Sequence, residues 1–355
     1  MTPRQRVLAA LSRRVPDRVP KHLELTPALL RIFQEKTGAQ DPADYFGLEV
    51  RQAGPGETVL RTDFTPYLGQ LPPDAHVNEW GIGWVRGSVH HFEDMVHPLA
   101  ERGSPEDLAS YPWPDVTAPY RWADFENRVR QLQSLGHPVM GIIPCVGGTI
   151  FETAWQLRGL ENLLVDFHQN QEFAYQLLDH LTEMACLNAA RIAAAGADSL
   201  QTADDVGTQR GLMMNPQMWR QWLKPRLARV IAAARQVKPE IHVFYHSDGD
   251  IGEIVEDLIE TGVDVLNPVQ PECMDPAQMK RRYGDRLAFW GTVGTQTTFP
   301  FATPQQMRQV VRERIETVGA GGGLLIAPTH VLEPDVPWEN VVAFVEAVHE
   351  YGRAQ

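Results

Sequence analysis

The chain has 355 residues, of which 43% are hydrophobic and 22% are charged, and its formal net charge is −13. This composition fits a globular protein with a large core, and the acidic balance disfavours nucleic acid or an anionic membrane as a partner. The three cysteines form no C-x-x-C pair, which is typical of a reduced protein. Because no stretch has the roughly 18 apolar residues of a membrane helix and the N-terminal apolar run is too short for a signal peptide, we expect a cytoplasmic location.

The N-terminal part predicts a helix, a short strand and then a loop-rich insertion. "TPRQRVLAALSRR" has apolar residues at helical spacing with Thr2 placed as a cap, and "DRVPKHLEL" is typical of a short strand. Residues of about 52–120 are dense in proline, glycine and tryptophan but stay hydrophobic, which indicates an ordered insertion with a hairpin across "EWGIGWVRG". Its histidines, His90, His91 and His97, are interpreted as surface residues.

From about residue 124, helical segments alternate with short apolar runs. The runs include "PVMGIIP", "DSLQTADD", "IHVFYHSD", "VDVLNPVQ", "LAFWGTVG" and "GGLLIAPTH". Strands of four to seven residues that alternate with helices predict βα units and a parallel sheet. Both a (β/α)8 barrel and a doubly wound sheet satisfy this pattern. No glycine-rich nucleotide-binding motif follows any strand.

Polar side chains follow the predicted strands at their carboxyl ends, where loops converge on one pocket in parallel α/β barrels. The sequence places there Asp204, Asp205, His246, Asp248, Asn267, Gln270, Thr292 and His330. The repetition over several strands favours an active site over a series of unrelated polar turns.

His246, Asp248 and His330 form the leading candidate for a metal site. The side chains of His246 and Asp248 flank Ser247 and point to the same side if the strand geometry continues. Together with His330 they give two imidazoles and a carboxylate, which suffice for a three-ligand site with open positions. The alternative is a histidine that is hydrogen-bonded at a strand end.

The acids nearby are more ambiguous. Asp204 and Asp205 are adjacent, so at most one faces a given pocket, and a helix cap is as good an explanation as a cation or substrate site. Glu152 begins a helix, where an acid is favoured by the helix dipole, and a ligand role is the alternative. Cys273 follows "NPVQPE" and is a further candidate for the rim.

Several long segments resemble the uroporphyrinogen decarboxylase-like superfamily. They are "FETAWQLRGLENLLVDF", "TADDVGTQRGLMMNPQMWRQWLKPRL", "HSDGDIGEIVEDLIETGVDVLNPVQ" and "GGGLLIAPTHVLEPDVPWENV", and the likeness runs through most of the chain. The resemblance implies a TIM-like (β/α)8 barrel, here a single domain over residues 1–355 with the loop-rich insertion at about 52–120.

Two branches of this superfamily imply different chemistry. True uroporphyrinogen decarboxylases use no cofactor and hold their substrate's carboxylates with arginines of an N-terminal signature, whose place here reads "RVPKHLELTPALL", without those arginines. The cobalamin-dependent methyltransferases bind zinc through His-X-Cys and a distant cysteine. Here the first position is His246, while Asp248 and His330 stand in place of the two cysteines. Such a harder ligand set suits zinc, manganese or iron and better polarises an oxygen.

We therefore predict a metal-dependent enzyme that transfers a methyl group between a small substrate and a corrinoid on a separate partner protein, because the chain has no Asp-x-His-x-x-Gly corrinoid motif. The alternatives are a cofactor-free carboxy-lyase that acts on a carboxylated ring, and a non-catalytic binding protein; the sequence leaves the oligomeric state open. The predicted metal ligands are His246, Asp248, His330 and Glu152; the predicted catalytic residues are Asp205, His246 and Asn267; the predicted substrate-binding residues are Asp204, Gln270 and Thr292.

Overall fold

The computed structural model describes residues 1–87 and 93–353, and its centre is a curled, parallel seven-stranded sheet. The strands are β1 Arg51–Ala53, β2 His76–Val77, β3 Gly83–Arg86, β4 Glu93–Val96, β5 Val139–Ile142, β6 Ser199–Ala203, β7 Gly207–Thr208, β8 Gly211–Leu212, β9 His242–His246, β10 Val265–Asn267, β11 Ala288–Val293 and β12 Leu324–Pro328. The helices are α1 Pro3–Leu11, α2 Pro27–Thr37, α3 Pro42–Tyr45, α4 Thr65–Leu68, α5 Pro105–Ser110, α6 Pro119–Trp122, α7 Phe125–Ser134, α8 Phe151–Arg158, α9 Leu160–Gln169, α10 Gln171–Ala194, α11 Pro216–Trp222, α12 Lys224–Val237, α13 Val255–Thr261, α14 Pro276–Tyr283, α15 Thr298–Phe301, α16 Pro304–Thr317 and α17 Trp338–Tyr351.

The sheet order is β1-β5-β6-β9-β10-β11-β12, and every neighbouring pair is parallel. An eighth extended segment, residues 20–25, runs parallel to β12 and to the residues after it, through bridges from Lys21 to Ile326 and from Leu25 to Leu332. Each of these eight segments is followed by at least one helix before the next begins. This is the predicted (β/α)8 barrel, and it excludes the doubly wound sheet, which would have helices on both faces of an open sheet.

The barrel interior is filled by apolar side chains, and helix α1 closes its lower end. Val7 and Leu11 of α1 are almost fully buried and pack with Met140, Phe244 and Trp290 from inside the barrel. Thr2 caps α1 with a capping box, as its sequence position predicts. Helix α1 therefore closes the lower end, and the barrel cavity that the described residues line lies toward the carboxyl ends of the strands.

The seam between the first and second barrel segments is joined by side chains. The buried carboxylate of Glu49, just before β1, accepts hydrogen bonds from the backbone N–H of Lys21 and from Arg6 and Arg18. At the upper end of the seam, the Gln52 side-chain amide donates to Glu24 at 2.7 Å. These bonds fix residues 20–25 against β1.

The insertion is ordered where the structure describes it. It contains an antiparallel sheet in which β3 pairs with both β2 and β4, so the strand in "EWGIGWVRG" pairs outside that segment instead of forming a hairpin within it. His97 is half-buried and bonds to the carbonyl of Gln156 at 2.7 Å. His90 and His91 lie outside the described residues.

Candidate metal centre

Three neighbouring strands bring inward-facing residues into register at the upper rim of the barrel. Ala203 of β6 pairs with His246 of β9, which in turn pairs with Asn267 of β10. Residues at matched positions of parallel neighbours point the same way, so the turns that leave β6 and β9 meet above Ala203. Asp205 and Asp248 lie in these two turns.

Asp205, His246 and Asp248 form a compact group with the dimensions of a metal site. One donor atom from each residue lies within 4.8 Å of the others. The Nε2 atom of His246 is 3.6 Å from a carboxylate oxygen of Asp205 and 3.9 Å from one of Asp248. The backbone N–H of Asp248 donates to Asp205 at 2.7 Å, which ties the two turns together. One imidazole and two carboxylates suit Zn²⁺, Mn²⁺ or Fe²⁺.

Asn267 sets the orientation of the His246 ring. Its side-chain N–H donates to the carbonyl of Trp290 at 2.9 Å, so its amide oxygen must face the other way. That oxygen lies 2.5 Å from Nδ1 of His246 and accepts a hydrogen bond from it. A histidine that is protonated at Nδ1 presents Nε2 as its metal-binding atom, and here Nε2 faces the two carboxylates.

The electrostatics of the group favour a positive charge at its centre, so a proton on His246 and a metal cation would compete for the same site. Burial lowers the pKa of His246, but the carboxylates of Asp248 and Asp205 more than offset this, so its pKa is raised. Burial raises the pKa of Asp248 as well, although His246 opposes that shift. The carboxylates of Asp248 and Asp205 therefore favour the imidazolium form of His246.

Glu152 and Asp204 lie behind this group and support it. Glu152 accepts a hydrogen bond from the backbone N–H of Asp205 at 2.9 Å, and burial raises its pKa to about 7. Asp204 is buried, and its carboxylate accepts from the backbone N–H groups of Ile150 and Glu152, at the start of α8. The oxygens of Asp204 thus cap α8, and its role in substrate binding stays a prediction. Glu152 is not part of the compact group, so its role as a ligand stays a prediction, and its contact with Asp205 fits a positioning role.

His330 lies across the mouth of the barrel from His246. The two ring centroids are 6.4 Å apart, but His330 is exposed and is not part of the compact group. The sequence predicts His330 as the third ligand beside His246 and Asp248, whereas in the compact group the third residue is Asp205. His330 is therefore a candidate for an additional ligand that would have to move toward the group.

The remaining predicted residues divide between the rim and the core. Gln270 accepts a hydrogen bond from the backbone N–H of Gly249, between the group and a neighbouring cleft, so its substrate role stays a prediction. Thr292 lies in β11 and is fully buried, and it lines neither of the two cavities that adjoin the group, so its contact with substrate stays a prediction. Cys273 donates to Gln209 at 3.3 Å, and burial raises the pKa of its thiol.

Two hollows adjoin the group. The barrel cavity, of about 320 Å³, lies inside the mouth and is lined by His246, Asn267 and His330 together with residues deeper in the barrel. The loop cleft, of about 860 Å³, is lined by Asp248, Gln270, His330 and the loops after β11 and β12. The group thus stands between a smaller cavity inside the barrel and a larger cleft between the loops.

Sequence reasoning missed the residues that line the barrel cavity below the rim. They are His22, Glu24, Gln52, Gln201, Phe244 and Trp290. One signal was available: a polar residue at an inward position of a buried strand, such as Gln201 in "SLQTA", requires a partner or a ligand.

The fold and the site define a class of protein: an α/β barrel with a histidine–carboxylate group at the carboxyl ends of its strands. The chain belongs to the uroporphyrinogen decarboxylase (URO-D) family, whose profile matches residues 103–351. Members of this family are enzymes. Across the described ranges, 1–87 and 93–353, no helix has the length and apolar character needed to cross a bilayer.

Curated relatives come from both functional branches. The chain is 30% identical over 176 residues to the methylcobamide:CoM methyltransferase MtaA of Methanosarcina barkeri, a match that covers 50% of this chain and 48% of the relative. It is 28% identical over 185 residues to a uroporphyrinogen decarboxylase of Psychromonas ingrahamii, covering 50% of this chain and 49% of the relative. The chain spans about half the length of the curated relatives it matches. A solved methyltransferase from Methanosarcina mazei superposes over 99% of both chains with a TM-score of 0.67 at 21% identity, which shows the shared fold.

Proposed function

We propose that the protein is a metal-dependent methyltransferase that moves a methyl group between a small substrate and a corrinoid carried by a partner protein. The observation that carries this proposal is the compact group of Asp205, His246 and Asp248, with Nε2 of His246 facing both carboxylates. The similarity to a methylcobamide:CoM methyltransferase supports the choice of reaction.

The donor set of the site fits a divalent cation. Asp205, His246 and Asp248 would hold the ion, Asn267 would keep the imidazole in its metal-binding orientation, and the N–H of Asp248 would keep Asp205 in place. When bound, the ion would supply Lewis acidity toward a substrate oxygen, nitrogen or sulfur atom and make that atom easier to methylate or demethylate. Two carboxylates and an imidazole leave open positions for that atom.

The remaining residues would support the ligands and exclude water. Glu152, whose pKa is raised to about 7 by burial, accepts a hydrogen bond from the backbone N–H of Asp205 and would hold that residue in place. The apolar side chains of the barrel cavity would hold the substrate body away from bulk solvent. The loop cleft provides the wider opening through which a corrinoid could approach.

The proposal is tested by anaerobic demethylation of methylcobalamin, followed by its visible spectrum, with a panel of small thiols, amines and alcohols as acceptors. We expect turnover with at least one acceptor that is lost on chelation, restored by zinc or manganese, and absent in His246→Ala. The exposed histidine His168, on α9, provides a matched control, His168→Ala, which should retain activity. Equal activity without metal, or decarboxylation of uroporphyrinogen by the chelated protein, would contradict the proposal.

A further inference from the structure

The turns that follow β6 and β9 are hydrogen-bonded to each other beyond the ends of the two strands. The backbone N–H of Asp250 donates to the carbonyl of Thr208 at 2.8 Å. The N–H of Val206 donates to Oγ of Ser247, which is fully buried, at 3.1 Å. The pairing of the strands thus continues through the two turns that carry the candidate carboxylate ligands.

The same turns are in direct contact through two glycines. A Cβ atom on Gly207 would overlap the carbonyl oxygen of Asp248, and one on Gly249 would lie 2.6 Å from the carbonyl oxygen of Thr208. Both positions are well inside van der Waals contact, and a backbone carbonyl cannot rotate away as a side chain can. A side chain at either glycine would therefore push the two turns apart.

The two glycines differ in their backbone conformation. Gly249 has a φ of 81°, whereas the φ of Gly207 is not positive. An alanine at Gly249 would be strained even in open space, because residues with a Cβ rarely adopt this conformation. Gly207 is required only for the close approach, so a substitution there tests the approach alone.

The turn after β9 is also held on its other side, by β10 and the residues that follow it. The N–H of Ser247 donates to the carbonyl of Asn267 at 3.0 Å, and the N–H of Gly249 donates to Oε1 of Gln270 at 3.2 Å. The turn cannot move away from Gly207 without straining these hydrogen bonds.

The spacing of the two turns determines where the carboxylates lie. Oxygen atoms of Asp205 and Asp248 are 3.6 Å and 3.9 Å from Nε2 of His246, and a zinc ion lies about 2.0–2.2 Å from each nitrogen or oxygen ligand. Relief of the overlap that a Cβ at Gly207 would create requires a shift of about 1 Å. Such a shift would carry one carboxylate out of reach of an ion that the other two residues hold.

We propose that Gly207 and Gly249 are positioning residues of the metal centre. Because neither has a side chain, the turns after β6 and β9 approach closely enough for their carboxylates to share one ion with His246. Ser247 supports this approach through the hydrogen bond that it accepts from Val206. The inference rests on the proposed function, whose metal ion it requires, and it assigns the spacing of the ligands to residues that are not ligands themselves.

The test measures the zinc affinity of Gly207→Ala by competition with a chromophoric chelator. The visible spectrum of the cobalt(II)-loaded protein reports the geometry around the ion, which a loss of stability alone would not alter. We expect Gly207→Ala to weaken zinc binding by about tenfold or more and to change the cobalt spectrum. Ser247→Ala adds no atom and should weaken zinc binding by a smaller factor.

Gly141→Ala is the matched control, because its Cβ would overlap the side chain of Ile192 on α10, outside the barrel. It should lower the thermal unfolding midpoint and leave the zinc affinity and the cobalt spectrum unchanged. An unchanged affinity and spectrum in folded Gly207→Ala would overturn the inference, and so would an equal loss of affinity in Gly141→Ala.

If Gly207→Ala does not fold, Ser247→Ala decides, and an unchanged zinc affinity in that variant would overturn the inference. A wild-type protein that retains no zinc would instead overturn the proposed function, so the two failures are distinguishable.

Discussion

At the scale of single residues, the central feature is that His246 is held from one side and faces two carboxylates on the other. Asn267 contributes the holding bond, and its own amide is fixed by the carbonyl of Trp290. Because its side chain contacts His246, we propose a positioning role for Asn267, while its predicted catalytic role stays untested. Residues that orient a metal-binding histidine typically affect metal affinity by about 10–100-fold.

Asn267→Leu should therefore weaken zinc binding by about 10–100-fold although all three proposed ligands remain. The leucine keeps the branched shape of asparagine but cannot accept the Nδ1 hydrogen bond. Competition with a chromophoric chelator measures the affinity. A zinc affinity that is unaffected by Asn267→Leu would show that His246 needs no such support.

His330→Ala should cause a smaller loss of zinc affinity than His246→Ala, because His330 lies outside the compact group.

The raised pKa of His246 predicts how metal affinity depends on pH. Asp248 and Asp205 stabilise the imidazolium, and a metal ion can bind only after that proton leaves. Below the raised pKa, the apparent zinc affinity should fall by about tenfold for each pH unit, if one proton is displaced per ion. Titrations from pH 5 to pH 8 in a non-coordinating buffer measure this, and an affinity independent of pH over that range would contradict the assignment.

At the scale of elements, the turn after β6 assigns different tasks to two adjacent acids. Asp205 faces His246, while Asp204 turns back and caps α8. The sequence predicts that at most one of the two reaches the pocket, because neighbours on an extended chain point to opposite sides. Which one does so depends on where α8 docks, and this long-range contact is not visible in the local pattern.

Asp204→Ala should lower the free energy of unfolding by about 1–3 kcal/mol, because two buried backbone N–H groups at the start of α8 lose their acceptor. Asp204→Asn should lower the free energy of unfolding by less, since the amide oxygen of asparagine can still accept these hydrogen bonds.

Burial and the neighbouring Glu152 raise the pKa of Asp204, so the contribution of Asp204 to the free energy of unfolding declines as the pH rises through that raised pKa. Asp204→Asn should remove this decline. Urea unfolding at two pH values measures both effects.

At the scale of the whole molecule, much of the architecture follows from the sequence. The alternation of short apolar runs with helices predicts the parallel sheet, and the family resemblance selects the barrel. The candidate ligands His246 and Asp248 can be predicted from their position at the end of a strand. Asp205 as a third candidate ligand cannot be predicted in this way, because its orientation depends on where α8 docks. The position of His22 and Glu24 beside the barrel cavity cannot be predicted either, because it depends on how the first segment pairs with the last strand.

Closure of the barrel depends on Glu49, whose buried carboxylate joins Arg6, Arg18 and the backbone of Lys21. Glu49→Ala should lower the free energy of unfolding by about 3–5 kcal/mol, the usual result when one partner of a buried ion pair is removed. As a control, Glu126→Ala breaks an exposed ion pair with Arg130 on α7. It should change the free energy of unfolding by less than about 1 kcal/mol. Similar losses in the two variants would mean that the seam is held by other contacts.

The most direct test of the account is the metal content of the purified protein after loading and desalting, measured by inductively coupled plasma mass spectrometry. We predict one divalent ion per chain in the wild type, none in His246→Ala or Asp248→Ala, and one in the matched exposed-histidine variant His168→Ala. A wild-type protein that retains no ion after loading, or a His246→Ala variant that retains a full one, would contradict the proposal of a metal centre at the barrel mouth.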